Sequence, residues 1–267
     1  MPTSLEEVLA RTKNENRSAL IAYIPAGFPS YEGCKKVITV FQEAGVDAVE
    51  IGFPYSDPVM DGPTIQEAAS ISLRGRTGAA QVFSTVSHAH GVGLATLVMT
   101  YWNPIEKYGV DAFAKEIINN GGSGVITPDL TIEESAPWQS AVVNAGINSI
   151  YVVAPSTTQE RLARVTSHCS GFVYAASLMG VTGTRTSVSS GAQELVSRIR
   201  KETTLPVCVG LGVSTREQAK SVATYADGVI VGSAFIKILL EAKSEAQGLE
   251  SVRSLAKELA LGVREAR

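Results

Sequence analysis

The sequence predicts an α/β fold in which eight parallel strands close into a barrel, and three observations carry that prediction. Short apolar runs rich in Val, Ile and Tyr alternate with longer segments of helical periodicity, the pattern of repeated βα units. The runs number eight and are mostly apolar on both faces, as strands covered by helices must be. Eight such units are the count that closes a (β/α)8, or TIM, barrel. An open doubly wound sheet is the alternative. Its GxGxxG fingerprint is missing from the first βα turn, which reads IPAGFPS.

In chain order the strands are expected at Ala19–Ile24, Ala48–Phe53, Leu94–Tyr101, Gly124–Thr127, Ser149–Ala154, Phe172–Ser177, Pro206–Leu211 and Gly228–Gly232. Between them lie helical patterns that often follow a Ser or Thr, whose side-chain oxygen can cap the first free N–H groups: SYEGCKKVITVFQEAG, VDAFAKEIINNGG, TIEESAPWQSAVVNAG, TTQERLARVTSH, SGAQELVSRIRKE and STREQAKSVATYA. Several end at Gly, the residue that closes a helix at least steric cost. Strand starts fall mostly roughly 20 to 35 residues apart, a normal βα repeat. The second unit, from Ala48 to Leu94, is longer and has room for an extended loop carrying SDPVMDGP and an additional helix near Ala79–His90. Extra length after a barrel strand falls on the catalytic face. SLEEVLARTK and SVRSLAKELALGVREA form extra N-terminal and C-terminal helices, expected to cover the barrel or a partner. No Ser/Pro-rich linker interrupts the chain, so residues 1–267 are read as a single barrel domain.

The chain has 45% hydrophobic and 18% charged residues and a net charge of −3. That composition excludes disorder, and the absence of a basic stripe disfavours nucleic-acid binding. Cys34, Cys169 and Cys208 are scattered and lack CxxC spacing, which argues against disulfide and metal chemistry. No apolar run approaches the length of a membrane span, and a cytoplasmic location is expected. An anionic ligand would therefore be held by local geometry, such as N–H groups at a helix start.

The residues that carry chemistry begin with Glu50, a carboxylate set in an apolar strand whose C-terminal end opens onto the barrel mouth. Burial disfavours its charged form and raises its pKa toward the range useful for acid/base work; a salt bridge is the plainer alternative, but no basic residue lies near in sequence. Asp61 follows in FPYSDPVMDGP, where Pro54, Pro58 and Pro63 restrict the backbone and reduce the cost of holding a carboxylate in place. Asp-Gly is also an ordinary turn dipeptide, and spacing alone does not separate Asp57 from Asp61. Gly-rich stretches at the ends of the sixth, seventh and eighth strands, GVTGTR (180–185), GLGVS (210–214) and VGSAFIK (231–237), offer unobstructed N–H groups to a phosphate. A phosphorylated small molecule fits all three. Met179–Ala192, rich in small polar residues, reads as a lid or as a solvated loop. Tyr23, Tyr101 and Tyr174, in strands 1, 3 and 6, are candidates to line a flat aromatic pocket, whereas His88, His90 and His168 fall in helical segments without metal spacing.

At this point the chain closely resembles the tryptophan synthase alpha subunit family, from about Leu20 to Lys237. VEIGFPYSDPVMDGPTIQ is similar to the family's acidic strand followed by SDPxxDGPxIQ, and YWNPI, PDL, GVTG and VGSA recur in the family's order. The resemblance implies a TIM barrel that cleaves indole-3-glycerol phosphate by a retro-aldol reaction to indole and glyceraldehyde 3-phosphate. It assigns the two catalytic carboxylates to Glu50 and Asp61, the first moving protons and the second, ionised, stabilising charge on the indole. It implies phosphate binding at Gly183, Gly212, Gly232 and Ser233, substrate contact at Tyr174 and a lid threonine at Thr182. It also implies no cofactor in this chain, with pyridoxal phosphate in a beta-subunit partner that receives indole within an alpha2beta2 heterotetramer. A stand-alone lyase releasing free indole and a catalytically silent phosphate-binding allosteric subunit are the alternatives. Three positions depart from the family pattern: Phe28 stands where many members have Asp before the proline, Tyr23 where others have Phe, and Leu211 replaces a frequent aromatic. These bear on the shape of the indole pocket and leave both carboxylates in place.

Overall fold

In the computed structural model, which describes residues 4–176, 188–210 and 212–266, the chain runs α1 (Leu5–Asn14), β1 (Ala19–Pro25), α2 (Tyr31–Glu43), β2 (Ala48–Gly52), α3 (Pro63–Arg74), α4 (Ala79–Gly91), β3 (Ala95–Met99), α5 (Trp102–Tyr108), α6 (Val110–Asn119) and β4 (Gly124–Thr127). It continues through α7 (Ala136–Ala145), β5 (Asn148–Val153), α8 (Gln159–Thr166), β6 (Val173–Ala176), α9 (Val188–Ile199), β7 (Val207–Gly210), α10 (Arg216–Ala223), β8 (Gly228–Val231), α11 (Ser233–Glu241) and α12 (Glu245–Arg264). Each strand pairs in parallel with the next, and β8 returns to β1, closing the barrel. All eight expected strands are present within a few residues of their predicted limits.

Strand parity divides the side chains between two apolar layers. Ala19, Ile21, Ala48, Leu97, Ile126, Ile150, Phe172, Cys208 and Ile230 fill the barrel, while the alternate residues pack outward under the helices. Helix α1 closes the floor by burying Leu5, Val8 and Leu9 against the inner layer. It starts where it does because Ser4 and Glu7 form a reciprocal capping box, with Glu7 N–H donating to Ser4 Oγ (3.2 Å) and Ser4 N–H to Glu7 Oε2 (2.9 Å). At the same end, buried Arg17 grips Asp47 through two hydrogen bonds of 2.7 and 2.8 Å, and Asp47 also accepts from Leu20 N–H (3.0 Å). Helix α12 packs across α2, α10 and α11, so the C-terminal extension covers the barrel's outer layer.

Three helices were not anticipated. Helix α3 begins at Pro63, the third proline of the loop, whose missing N–H costs nothing at a first helical position. The second unit therefore contains two helices, and the loop that carries Asp61 is shorter than expected. Short α5 starts directly after Tyr101, which stands at its N-cap position without a side-chain cap bond; Tyr101 thus lies beyond the end of β3, two residues past Met99. Helix α11 follows Gly232 at once. His168 stands just past α8, outside the helix. Among the described residues no helix is long and apolar enough to cross a membrane, and no group of His, Cys, Asp and Glu is arranged to hold a metal.

Candidate active site

At the C-terminal mouth of the barrel a cavity of about 620 Å3, open end included, is lined by Tyr23, Glu50, Met60, Asp61, Ile65, Met99, Tyr174, Gly210, Gly212, Ile230, Gly232 and Ser233. Seven of the ten residues named from the sequence meet here: Glu50, Asp61, Tyr23, Tyr174, Gly212, Gly232 and Ser233.

Glu50 reaches this cavity by parity. Ala48 points into the inner layer, so Glu50, two residues on, points inward as well. The carboxyl is fully buried, and among the described residues neither oxygen has a hydrogen-bond partner. Burial alone pushes its pKa up from the ordinary 4.5 to about 8. A group so placed is protonated at neutral pH and sits near the balance point needed to give and retake a proton. Among the described residues it has no salt bridge to explain it away.

Asp61 hangs from the loop between β2 and α3 and is only partly buried. Burial raises its pKa above the usual aspartate range, and a hydrogen bond from Tyr101 opposes the rise. Met60 N–H donates to Tyr101 Oη (3.1 Å), and the Tyr55 ring lies 5.3 Å from the Tyr101 ring. Gln66 Nε2 holds the Asp61 carbonyl at 2.8 Å. Tyr101, expected to line the pocket, instead stands behind the Asp61 loop and outside the cavity wall. Asp57 is exposed and bonded by the neighbouring Ser56 hydroxyl, away from the cavity. Geometry thus separates the two aspartates that spacing left equivalent.

Two tyrosines lie over glycines of the neighbouring strands. A Cβ on Gly52 would meet Tyr23 Oη at 2.4 Å, and one on Gly210 would meet Tyr174 Oη at 2.5 Å. Burial drives both hydroxyls well above their ordinary value of 10, and the carboxyl groups of Asp61 and Glu50, once ionised, add to the effect, so both hydroxyls remain neutral. Beside Tyr23, α11 starts after its N-cap Gly232 without any side-chain cap and without an acidic residue in its first turn. Its N-terminus therefore faces the cavity as an electropositive end suited to a phosphate. Gly212 adopts φ +75°, a backbone conformation open to glycine at little cost. Thr182, Gly183, Leu211 and most of the expected lid lie outside the described residues.

A barrel mouth with two carboxylates of unlike environment, an apolar wall and a helix N-terminus narrows the chemistry, and comparison with known proteins narrows it further. The family model for the tryptophan synthase alpha chain matches residues 9–264. The tryptophan synthase alpha chain of Streptomyces avermitilis is 57% identical over 97% of this chain and 94% of its own length, and that of Thermobifida fusca is 52% identical over 99% of both. The chain belongs to the tryptophan synthase alpha chain family. Among solved structures of the same family, tryptophan synthase from Mycobacterium tuberculosis superposes with a TM-score of 0.90 at 45% identity, covering 99% of both chains. The alpha subunit from Legionella pneumophila gives 0.88 at 30% identity over 98% of both.

As a family member the chain also shows what residue-by-residue reading passed over. Met60, Ile65, Met99 and Ile230 form the apolar part of the wall, suited to a flat aromatic ring. Strand parity signals two of them. Met99 shares the inward face of β3 with Ala95 and Leu97, and Ile230 lies in the inner layer on β8. Ile65 was hidden because it depends on α3, a helix the sequence reading did not place.

Proposed function

We propose that Glu50 and Asp61 are the catalytic pair of this chain. As a tryptophan synthase alpha chain it is a carbon–carbon lyase that cleaves indole-3-glycerol phosphate to indole and glyceraldehyde 3-phosphate. The observation that carries the residue assignment is the unpartnered, fully buried carboxyl of Glu50, raised to about 8, in one cavity with Asp61.

In this reading protonated Glu50 delivers its proton to indole C3 while ionised Asp61 accepts the indole N–H and stabilises the positive charge that develops on the ring. Glu50, now a carboxylate, takes the proton from the glycerol hydroxyl on the carbon attached to C3. The C–C bond breaks, its electron pair returns to the ring to restore neutral indole, and the aldehyde departs with the phosphate. Glu50 ends protonated, so the cycle closes without a net proton. Gly212, Gly232 and Ser233 hold the phosphate with backbone N–H groups and the α11 N-terminus, joined by Gly183, while Thr182 is the lid threonine beside Asp61. Tyr23 and Tyr174 flank the reacting carbons, and Met60, Ile65, Met99 and Ile230 hold the ring. No step calls for a cofactor.

We further infer that the chain works with a tryptophan synthase beta subunit, in an alpha2beta2 assembly whose beta subunit holds pyridoxal phosphate. Family membership supports this, and the family match across residues 9–264 supports reading the chain as one domain. The deciding experiment measures indole released from indole-3-glycerol phosphate by the purified chain, with and without a beta subunit. Stimulation by the beta subunit is expected; full turnover without it would replace the subunit reading with that of a stand-alone lyase. No turnover in either arm would overturn the catalytic assignment.

A further inference from the structure

We propose that Asp129 is a positioning residue for Asp61, acting through Tyr101; the proposal rests on the reading of Asp61 as the charge-stabilising carboxylate. Asp129 follows β4 by two residues, is exposed, and is no part of the cavity wall. Its two carboxylate oxygens both accept from Trp102 N–H, at 2.9 and 3.1 Å. Trp102 opens α5, and Tyr101 occupies the N-cap position, where an aromatic side chain can accept nothing from the helix. Asp129 therefore caps α5 from a different loop, and in doing so fixes the backbone beside Tyr101.

The neighbouring contacts leave Tyr101 little freedom. Thr100 Oγ1 donates to Tyr101 O (3.1 Å), and Thr100 N–H donates to Ile126 O (3.1 Å), tying the junction to β4. At the other end of the side chain the hydroxyl accepts from Met60 N–H, which ties Tyr101 to the backbone one residue before Asp61. A line of contacts thus runs from the loop after β4 through the α5 cap to the loop after β2 that carries the carboxylate. Without Asp129, the first N–H of α5 loses its partner, the cap frays, and the Tyr101 ring is no longer held at one height against the Asp61 loop.

The consequence is legible in pH. The groups facing Asp61 are Tyr101 behind it and Tyr23, Glu50 and Tyr174 across the cavity, and among the described residues lining that cavity none is cationic. The Tyr101 hydroxyl is the contact that favours the ionised form of Asp61 while burial favours the neutral one. Weakening it must move the Asp61 titration upward.

The test uses Asp129→Ala, Asp129→Asn, Tyr101→Phe and the Asp129→Ala/Tyr101→Phe double variant. Two readouts are taken: the pH profile of kcat/KM for indole-3-glycerol phosphate, and the titration of the Asp61 carboxyl by 13C NMR in the free protein. Asp129→Ala is expected to raise the Asp61 midpoint by about half a pH unit or more and to lower kcat about threefold to tenfold, as loosened positioning does. Asp129→Asn, whose side-chain oxygen still accepts the Trp102 N–H, should restore the parent midpoint. Tyr101→Phe should shift it at least as far, and the double variant no further than Tyr101→Phe alone. An unmoved midpoint in Asp129→Ala, or additive shifts in the double variant, would overturn the proposal. If the parent itself fails to cleave the substrate, the functional reading falls, while the carboxyl titration still decides whether Asp129 positions Asp61.

Discussion

The Tyr23 hydroxyl occupies the space into which a side chain on Gly52 would grow: a Cβ there would lie 2.4 Å from Oη and 2.7 Å from the ring carbon that bears it. Tyr23 pairs in register with Glu50, so the glycine that admits its ring stands one pleat above the proposed proton donor. Gly52→Ala is therefore expected to push Tyr23 into the cavity, destabilising the fold by about 1–3 kcal/mol and lowering kcat/KM at least tenfold. Thermal denaturation and steady-state kinetics check both, and Tyr23→Phe in the same background should recover part of the loss.

Exchanging either carboxyl for its amide should lower turnover by orders of magnitude while the barrel stays intact. Asp61→Asn removes the negative charge that balances the indole ring and is expected to cost about 100-fold to 1,000-fold in kcat. Glu50→Gln removes the group placed to carry the proton between C3 and the hydroxyl. Near-parental turnover in either variant, measured by indole release, contradicts the assignment.

Glu50 also makes a stability prediction whose sign is fixed. Its folded-state pKa of about 8 lies above the ordinary 4.5, so between those values the folded chain holds a proton that the unfolded chain releases. Stability contributed by this group is complete below pH 4.5, falls by about 1.4 kcal/mol per pH unit as pH rises, and levels off above 8. Glu50→Gln should flatten that part of the profile and be more stable than the parent at pH 8. Urea denaturation of both proteins across the range provides the comparison.

The same two groups bound the activity profile. Asp61 must be ionised and Glu50 protonated at the start of the cycle, so kcat/KM should rise through the elevated Asp61 titration and fall again near pH 8. A profile still rising past pH 9 would contradict the role given to Glu50.

At the opposite end of the barrel, Asp47→Ala should leave the Arg17 guanidinium buried without its main partner. A loss of about 3–5 kcal/mol is expected, with kcat of the folded fraction unchanged. Calorimetry and active-site-normalised kinetics would separate the two effects.

How much of this the sequence carried depended on the range of the interactions involved. The strands were legible because burial on both faces writes itself as continuous apolar runs such as ALIAYI, and Glu50 stood out because it interrupts one. Asp57 and Asp61 remained equivalent on spacing, since what separates them is the wall of a cavity assembled from distant strands. Tyr101 was assigned to the pocket from its strand-like neighbours, whereas the onset of α5 turns it behind the loop. Nothing local predicts that Asp129, a loop residue in PDL, caps a helix on the preceding unit. Such long-range polar contacts leave no periodic mark in the chain.

The floor of the barrel has a consequence for traffic. With α1 sealing one end by Leu5, Val8 and Leu9 over the apolar inner layer, the reaction chamber, among the described residues, opens at the other end. Substrate, aldehyde, indole and exchanging water all compete for the same exit, so whatever seats itself over that doorway governs the order of departure without touching either carboxylate.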